Sequence, residues 1–201
     1  MIHETRESWL RAGATAMTPW FAERGSPLTA PIRLSIGFPS TRGLATRNPA
    51  IGECWAVTSS KDSTAEIFIS PLLDDPTEVL AVALHEMAHA VLGPKAGHGP
   101  AFARLVKKLG LDGKPTASTP GLQFIDQIKP ILVDLGPLPH HRLTPMSKQP
   151  KKQTTRMNKC ACEACGYTVR LSRKWLEVGP PICPVDRVAM IADEPMEEED
   201  E

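Results

Sequence analysis

Residues Pro76–Leu92 constrain the fold more than any other stretch of this 201-residue chain. The run Val79-Leu80-Ala81-Val82-Ala83-Leu84 continues through Met87, Ala88, Ala90, Val91 and Leu92, opens after Asp74-Asp75 and stops at Gly93-Pro94. A capping carboxylate (Asp74 or Asp75), a first-turn proline and a terminating glycine together bound a helix. A helix that is apolar nearly all the way round offers no face to water, so other elements must pack around it. Yet it carries His85-Glu86-Met87-Ala88-His89. Burying a polar group without a partner costs roughly 2–7 kcal/mol, so these side chains need a common ligand, and a metal ion is the natural one. His85 and His89, four residues apart, project from one face and can share a Zn²⁺. Glu86 stands beside them as the base that takes a proton from an activated water.

A catalytic zinc takes three protein ligands and keeps a fourth position open. His98 is the third candidate, in Gly97-His98-Gly99-Pro100, where a short loop before the next helix can fold back over the first. Metzincins would put that histidine at position 95, which here is Lys95. Taken together, His85-Glu86-Met87-Ala88-His89-Ala90, Gly93 and Gly97-His98-Gly99-Pro100-Ala101-Phe102 resemble the SprT-like zinc metallopeptidases. In that family a two-histidine helix is followed by a His-Gly-x-x-Phe element that brings the third ligand. The resemblance is specific over about residues 51–110 and looser over 160–190, where many members carry a C-terminal zinc ribbon. It implies a compact zincin-like domain, zinc ligands His85, His89 and His98, Glu86 as general base, and a protein as substrate. Its eukaryotic, Spartan-like members cleave proteins crosslinked to DNA, so the resemblance extends to DNA–protein crosslink repair. Zincins bind substrate as a strand added to a sheet edge, a role that would fall to the strand Ala65–Ser70.

The remainder of residues 1–140 reads as the α+β shell such a helix requires. Trp9, Leu10, Ala14, Met17 and Phe21 recur at helical spacing within residues 4–24. Strands follow at Ile32–Ile36, in part of Glu53–Thr58 and at Ala65–Ser70, the last two pairing as a hairpin across Ser59–Ser63. Helices are expected over about 100–109 and 121–135, the latter with Phe124, Ile125, Ile128, Ile131, Leu132 and Leu135 inward and Pro130 as a kink. From Gly136 the composition turns to proline, lysine and polar residues, as in a connection. His140 and His141 are therefore read as part of that connection in preference to donors for a transition-state oxyanion. Cys54 reads as a small buried hydrophobe rather than an inhibitory zinc ligand.

The other metal signal lies downstream. Four of the five cysteines, Cys160, Cys162, Cys165 and Cys183, fall close together, the pattern of a metal site in a reducing compartment rather than of a disulfide framework. Cys162-Glu163-Ala164-Cys165-Gly166-Tyr167 is a zinc knuckle, but its partner reads Cys183-Pro184-Val185-Asp186, with aspartate at the fourth corner. Either Asp186 ligates or Cys160 substitutes. The expected layout is a metallopeptidase domain over 1–140, a basic linker over 141–158, a zinc ribbon over 159–192 and an acidic tail over 193–201, with one catalytic and one structural Zn²⁺.

Charge agrees with that layout only when counted by segment, because the totals cancel at 23 basic against 23 acidic side chains. Residues 1–141 balance, whereas 142–174 hold Arg142, Lys148, Lys151, Lys152, Arg156, Lys159, Arg170, Arg173 and Lys174 against Glu163 alone, and 193–201 are strongly acidic. Lys151, Lys152, Arg156, Lys159, Arg170, Arg173 and Lys174, with Tyr167 and Trp175 among them, are the candidate nucleic-acid contacts. Size excludes a large multi-domain enzyme, and no window approaches the roughly 20 apolar residues of a membrane span. The charged start Met1–Glu7 is unlike a secretory signal. A cytoplasmic, monomeric zinc peptidase that meets DNA or a DNA-bound protein is the expectation. The alternative is a non-proteolytic adaptor acting through its ribbon.

Overall fold

A computed structural model describes residues 3–144 and 157–192, and the chain divides into two compact units, Met1–Pro145 and Met146–Glu201. The class is mixed α and β, with helices set around small sheets.

In the first unit, α1 (Arg6–Glu23) opens on a capping box in which the Thr5 hydroxyl accepts the Ser8 N–H, and it buries the predicted stripe Trp9, Leu10, Ala14, Met17 and Phe21. Strands β1 (Ile32–Ile36), β2 (Gly52–Trp55) and β3 (Ala65–Ile69) form one sheet in the order β1-β3-β2, with β3 parallel to β1 and antiparallel to β2. The predicted hairpin is present. The predicted edge is not: β3 is the central strand, its inward Ala65, Ile67 and Ile69 fully buried, and β2 lies at the margin. The error has a physical source, since alternation reports which face of a strand is buried and carries no information on how many neighbours it has.

Helix α2 (Pro76–Leu92) is capped by Asp75, whose carboxylate accepts the Glu78 N–H at 2.9 Å, and ends at Gly93. It runs through the middle of the unit against α1, β2 and β3, with Val79–Leu84, Met87 and Ala88 buried. Helix α3 (Pro100–Lys108) packs Phe102, Leu105 and Val106 onto it. A hairpin of β4 (Leu111–Lys114) and β5 (Ala117–Pro120) follows, then α4 (Leu122–Leu135), which is helical straight through Pro130 and buries Phe124, Ile128 and Leu135.

The stretch that composition reads as the start of a connection is bound to the domain. The Trp9 indole N–H donates to the Gly136 carbonyl at 3.0 Å, His140 Nε2 donates to the Pro71 carbonyl at 3.2 Å, and the Leu143 N–H reaches the same carbonyl at 2.9 Å. A buried indole and a buried imidazole each need such a partner, which composition does not report.

The second unit is a three-stranded antiparallel sheet, order β7-β6-β8, made of β6 (Asn158–Ala161), β7 (Thr168–Leu171) and β8 (Ile191–Ala192), with the short helix α5 (Arg173–Val178). Among the described residues its core is Cys160, Cys162, Cys183 and Met190 with a few partly buried aliphatics. No helix among the described residues is long and apolar enough to cross a membrane.

Candidate metal centres

Two side-chain clusters stand out, one in each unit: His85, His89 and His98, and Cys162, Cys165, Cys183 and Asp186. In the first, α2 presents both of its histidines on one face. Gly93 and Gly97, both at positive φ, bracket the turn Pro94–Ala96 and swing His98 back over them before Gly99-Pro100 opens α3. His98 Nε2 lies 3.3 Å from His85 Nε2 and 3.2 Å from His89 Nε2. Three nitrogens at about 2.0–2.1 Å from a tetrahedral ion would stand roughly 3.3 Å apart, which both separations from His98 match; all three donor atoms lie within 4.8 Å of one another.

The rings are held from below and behind. Phe102 stacks on His89, with centroids 4.1 Å apart at 21°, and meets His85 and His98 edge-on at 4.9 and 5.1 Å. The Ser118 hydroxyl on β5 lies 2.7 Å from His85 Nδ1. With Nδ1–H donating there, the Nε2 lone pair faces the cluster, the role of an outer-shell partner. Burial, then mutual repulsion, presses His85 down to about 3 and His89 to about 4, and burial lowers His98 as well. All three are therefore neutral at ordinary pH, the form that binds metal.

Glu86 is 6% exposed and packs over Gly52, where a β-carbon would collide with its carboxylate and stand 2.7 Å from Val82 Cγ1. Burial first, then the charge of Glu53, pushes its carboxyl up to about 8. Glu86, the three histidines, Cys54 and Ser118 share one cleft of about 870 Å³. Burial and the nearby Glu86 raise the Cys54 thiol to about 12; the residue is half-buried in the cleft wall, not fully buried, and stands outside the three-histidine cluster. His140 and His141 do not line this cleft; His140 is engaged by Pro71 and by Arg6 at 3.4 Å. It is thus neither an oxyanion donor nor a linker residue.

In the second unit the Cys165 and Cys183 sulfurs are 3.6 Å apart, and Asp186 Oδ2 lies 3.3 Å from Cys162 Sγ and 3.7 Å from Cys183 Sγ. Ligands at about 2.3 Å (sulfur) and 2.0–2.2 Å (oxygen) around a tetrahedral zinc would stand roughly 3.5–3.8 Å apart. Cys160, buried on β6 between its paired strands, is not in the cluster, so Asp186 occupies the fourth corner. The two halves match: the Gly166 N–H donates to the Cys162 carbonyl and the Arg187 N–H to the Cys183 carbonyl, both at 2.9 Å, and both residues have positive φ. The Asp186 N–H, 3.4 Å from Cys183 Sγ, holds that thiol below its usual value.

Of the candidate nucleic-acid contacts, Lys159 and Arg170 face each other across β6 and β7, and Arg173 and Lys174 lie on α5, all four exposed. Lys174 Nζ sits 5.3 Å from the Trp175 ring centre, and Arg173 pairs with Glu177 at 3.1 Å. Lys151, Lys152, Arg156 and the acidic tail 193–201 lie outside the described residues. Three contributors were missed from sequence. Ser118 sits on the unrecognised β4–β5 hairpin, whose signal was Gly113 and Pro115 between two short polar runs; Gly52 and Glu53 act through packing and charge that no spacing encodes. No family model, no curated protein and no solved structure matches this chain.

Proposed function

We propose that the first unit is a zinc-dependent metalloendopeptidase of SprT-like, zincin type. The observation that carries the reading is the convergence of three neutral imidazoles, with His98 Nε2 3.2 Å from His89 Nε2 and 3.3 Å from His85 Nε2, beside a buried carboxyl on the helix that carries His85 and His89. A zinc ion held by His85, His89 and His98 would polarise the scissile carbonyl and acidify water. Glu86 accepts the proton of the attacking water and passes it to the leaving amine. A dication beside Glu86 favours its ionised form and so reverses the upward pressure of burial. Gly52 lets the carboxylate lie flat against β2, and Ser118 keeps His85 in the ligating tautomer.

The margin strand β2, not β3, is the natural platform for a polypeptide. Gly52 and Cys54 line the metal-centre cleft, and alternation along the strand turns Glu53 and Trp55 to the other face, with Glu53 bordering both clefts. Because the Ser70 N–H donates to the Ile51 carbonyl while Ile69 bonds on the β1 side through Gly37, ladder bonds to β3 fall at Glu53 and Trp55. The backbone groups of Gly52 and Cys54 then point outward, free to pair with an added strand.

Zinc-loaded protein should cleave an unfolded protein substrate, a zinc chelator should abolish the cleavage, and Glu86→Gln should lose it while keeping its zinc. Equal cleavage by Glu86→Gln, or none by the zinc-loaded wild type, overturns the assignment. A second reading, an adaptor that engages DNA or a repair or transcription complex through the ribbon, is favoured by the exposed Tyr167 and Trp175 among basic side chains. Running the same assay on a DNA-bound substrate with and without free DNA separates the two. DNA binding that Glu86→Gln retains, with no cleavage by wild type, supports the adaptor.

A further inference from the structure

The sheet has a second face. Strand register places Glu53 beside Phe68 and Trp55 beside Glu66 on the side away from the helices. Downstream of β1, Phe38 and Ser40 fold over that side and close a cleft of about 350 Å³. Its walls are the rings of Phe38, Trp55 and Phe68, the carboxylates of Glu53 and Glu66, and two serines; no lysine, arginine or histidine lines it. Phe38 is 36% and Trp55 43% exposed, so the rings are open to a ligand rather than packed against each other. Aromatic faces attract a cation through their quadrupole, and adjoining carboxylates add full charge. Burial pushes the Glu53 carboxyl up, but the Ser40 hydroxyl and N–H, 2.5 and 2.8 Å away, more than reverse this and hold it ionised. Glu66 is partly matched by Arg33, which also binds Asp62 at 2.7 Å, so Glu53 carries most of the uncompensated charge.

We propose that this cleft receives a lysine or arginine side chain of the polypeptide bound along β2. The proposal rests on β2 as the substrate platform. Side chains of an added strand alternate faces in step with β2. Those beside Gly52 and Cys54 pass over the metal centre, and those beside Glu53 and Trp55 enter the aromatic cleft. The enzyme so built selects a basic residue next to, not at, the positions that face the metal.

The test uses full-length, zinc-loaded Glu86→Gln protein and a set of neutral peptides in which one lysine is moved a single position at a time, each matched by norleucine and glutamate versions. Binding is followed at the Trp55 indole N–H, assigned with Trp55→Phe. Lysine is expected to tighten binding about tenfold over norleucine, at positions of one parity only, and the gain should vanish on adding Glu53→Gln. Zinc content equal to the parent certifies each variant as folded. Equal affinity for lysine, norleucine and glutamate peptides overturns the proposal. If no peptide binds, N-acetyl-lysine methylamide alone decides. A Trp55 shift abolished by Glu53→Gln sustains the cation cleft and removes β2 as the platform, whereas no shift removes the cleft.

Discussion

At the level of single residues, the candidate centre is organised by partners that are not themselves ligands. Ser118, 2.7 Å from His85 Nδ1, fixes which nitrogen of that ring is free. Ser118→Ala should therefore weaken zinc binding about 10- to 100-fold, and Ser118→Thr should restore most of it, measured by competition with a chromophoric chelator. Unchanged affinity in Ser118→Ala would remove the residue from the site. The metal-free protein makes a separate pH prediction. Unfolded, His85 and His89 take ordinary values of 6.5 and Glu86 of 4.5; folded, they sit at about 3, about 4 and about 8. As pH falls below 6.5, the unfolded chain binds two protons that the fold refuses, and stability drops. As pH rises from 4.5 to 8, the unfolded chain releases the Glu86 proton that the fold keeps, and stability drops in the other direction. Two protons outweigh one on the acid side, so thermal stability of metal-free protein should peak near pH 6.5. Glu86→Gln should abolish the decline on the alkaline side; a decline of the same size in both proteins would contradict the assignment.

Among elements, α2 and the β3–β2 pair decide what the site can accept. If a substrate strand pairs with β2, Cys54→Pro removes an outward N–H and leaves the β2–β3 ladder intact. It should lower kcat/KM about three- to tenfold, the worth of one hydrogen bond, with zinc content unchanged. Ile67→Pro, on the buried central strand, should instead prevent folding, since it breaks the ladder in the interior of the sheet. If Cys54→Pro cleaves like wild type, the platform lies elsewhere. This contrast also marks what was legible in the amino-acid order. Helix α2 was readable to the residue, because Asp75, Pro76 and Gly93 are local signals and its apolar run is long. His98 was readable because the loop before α3 is short and its glycines, Gly93 and Gly97, allow the positive φ that folds it back over α2. The place of β3 between β1 and β2 was not, since β1–β3 pairing is non-local and period-two alternation is the same for an edge and a centre. The β4–β5 hairpin was not readable either: its strands are short and largely exposed, so they carry almost no apolar pattern.

For the whole molecule the informative quantity is where charge lies, not its total. Residues 1–141 are balanced, the nine cations of 142–174 stand against one anion, 175–192 contribute one net negative charge, and Asp193, Glu194, Glu197, Glu198, Glu199, Asp200 and Glu201 complete the balance at zero. If the first unit is the proposed metallopeptidase, its lack of net charge would leave the second unit to concentrate it at a polyanion, and the tail would compete with that polyanion for the same cations. Deleting 193–201 should tighten binding to duplex or single-stranded DNA and steepen its salt dependence. Each phosphate contact released from competition adds about 0.9 to the slope of log affinity against log salt on duplex DNA. Conversely, Lys159→Gln and Arg170→Gln, on neighbouring strands of the ribbon-like sheet, should each reduce that slope by about one contact. A tail deletion that leaves both affinity and slope where they were would mean that the acidic segment does not screen the basic one. The zero net charge would then reflect two independent surfaces rather than one regulated by the other.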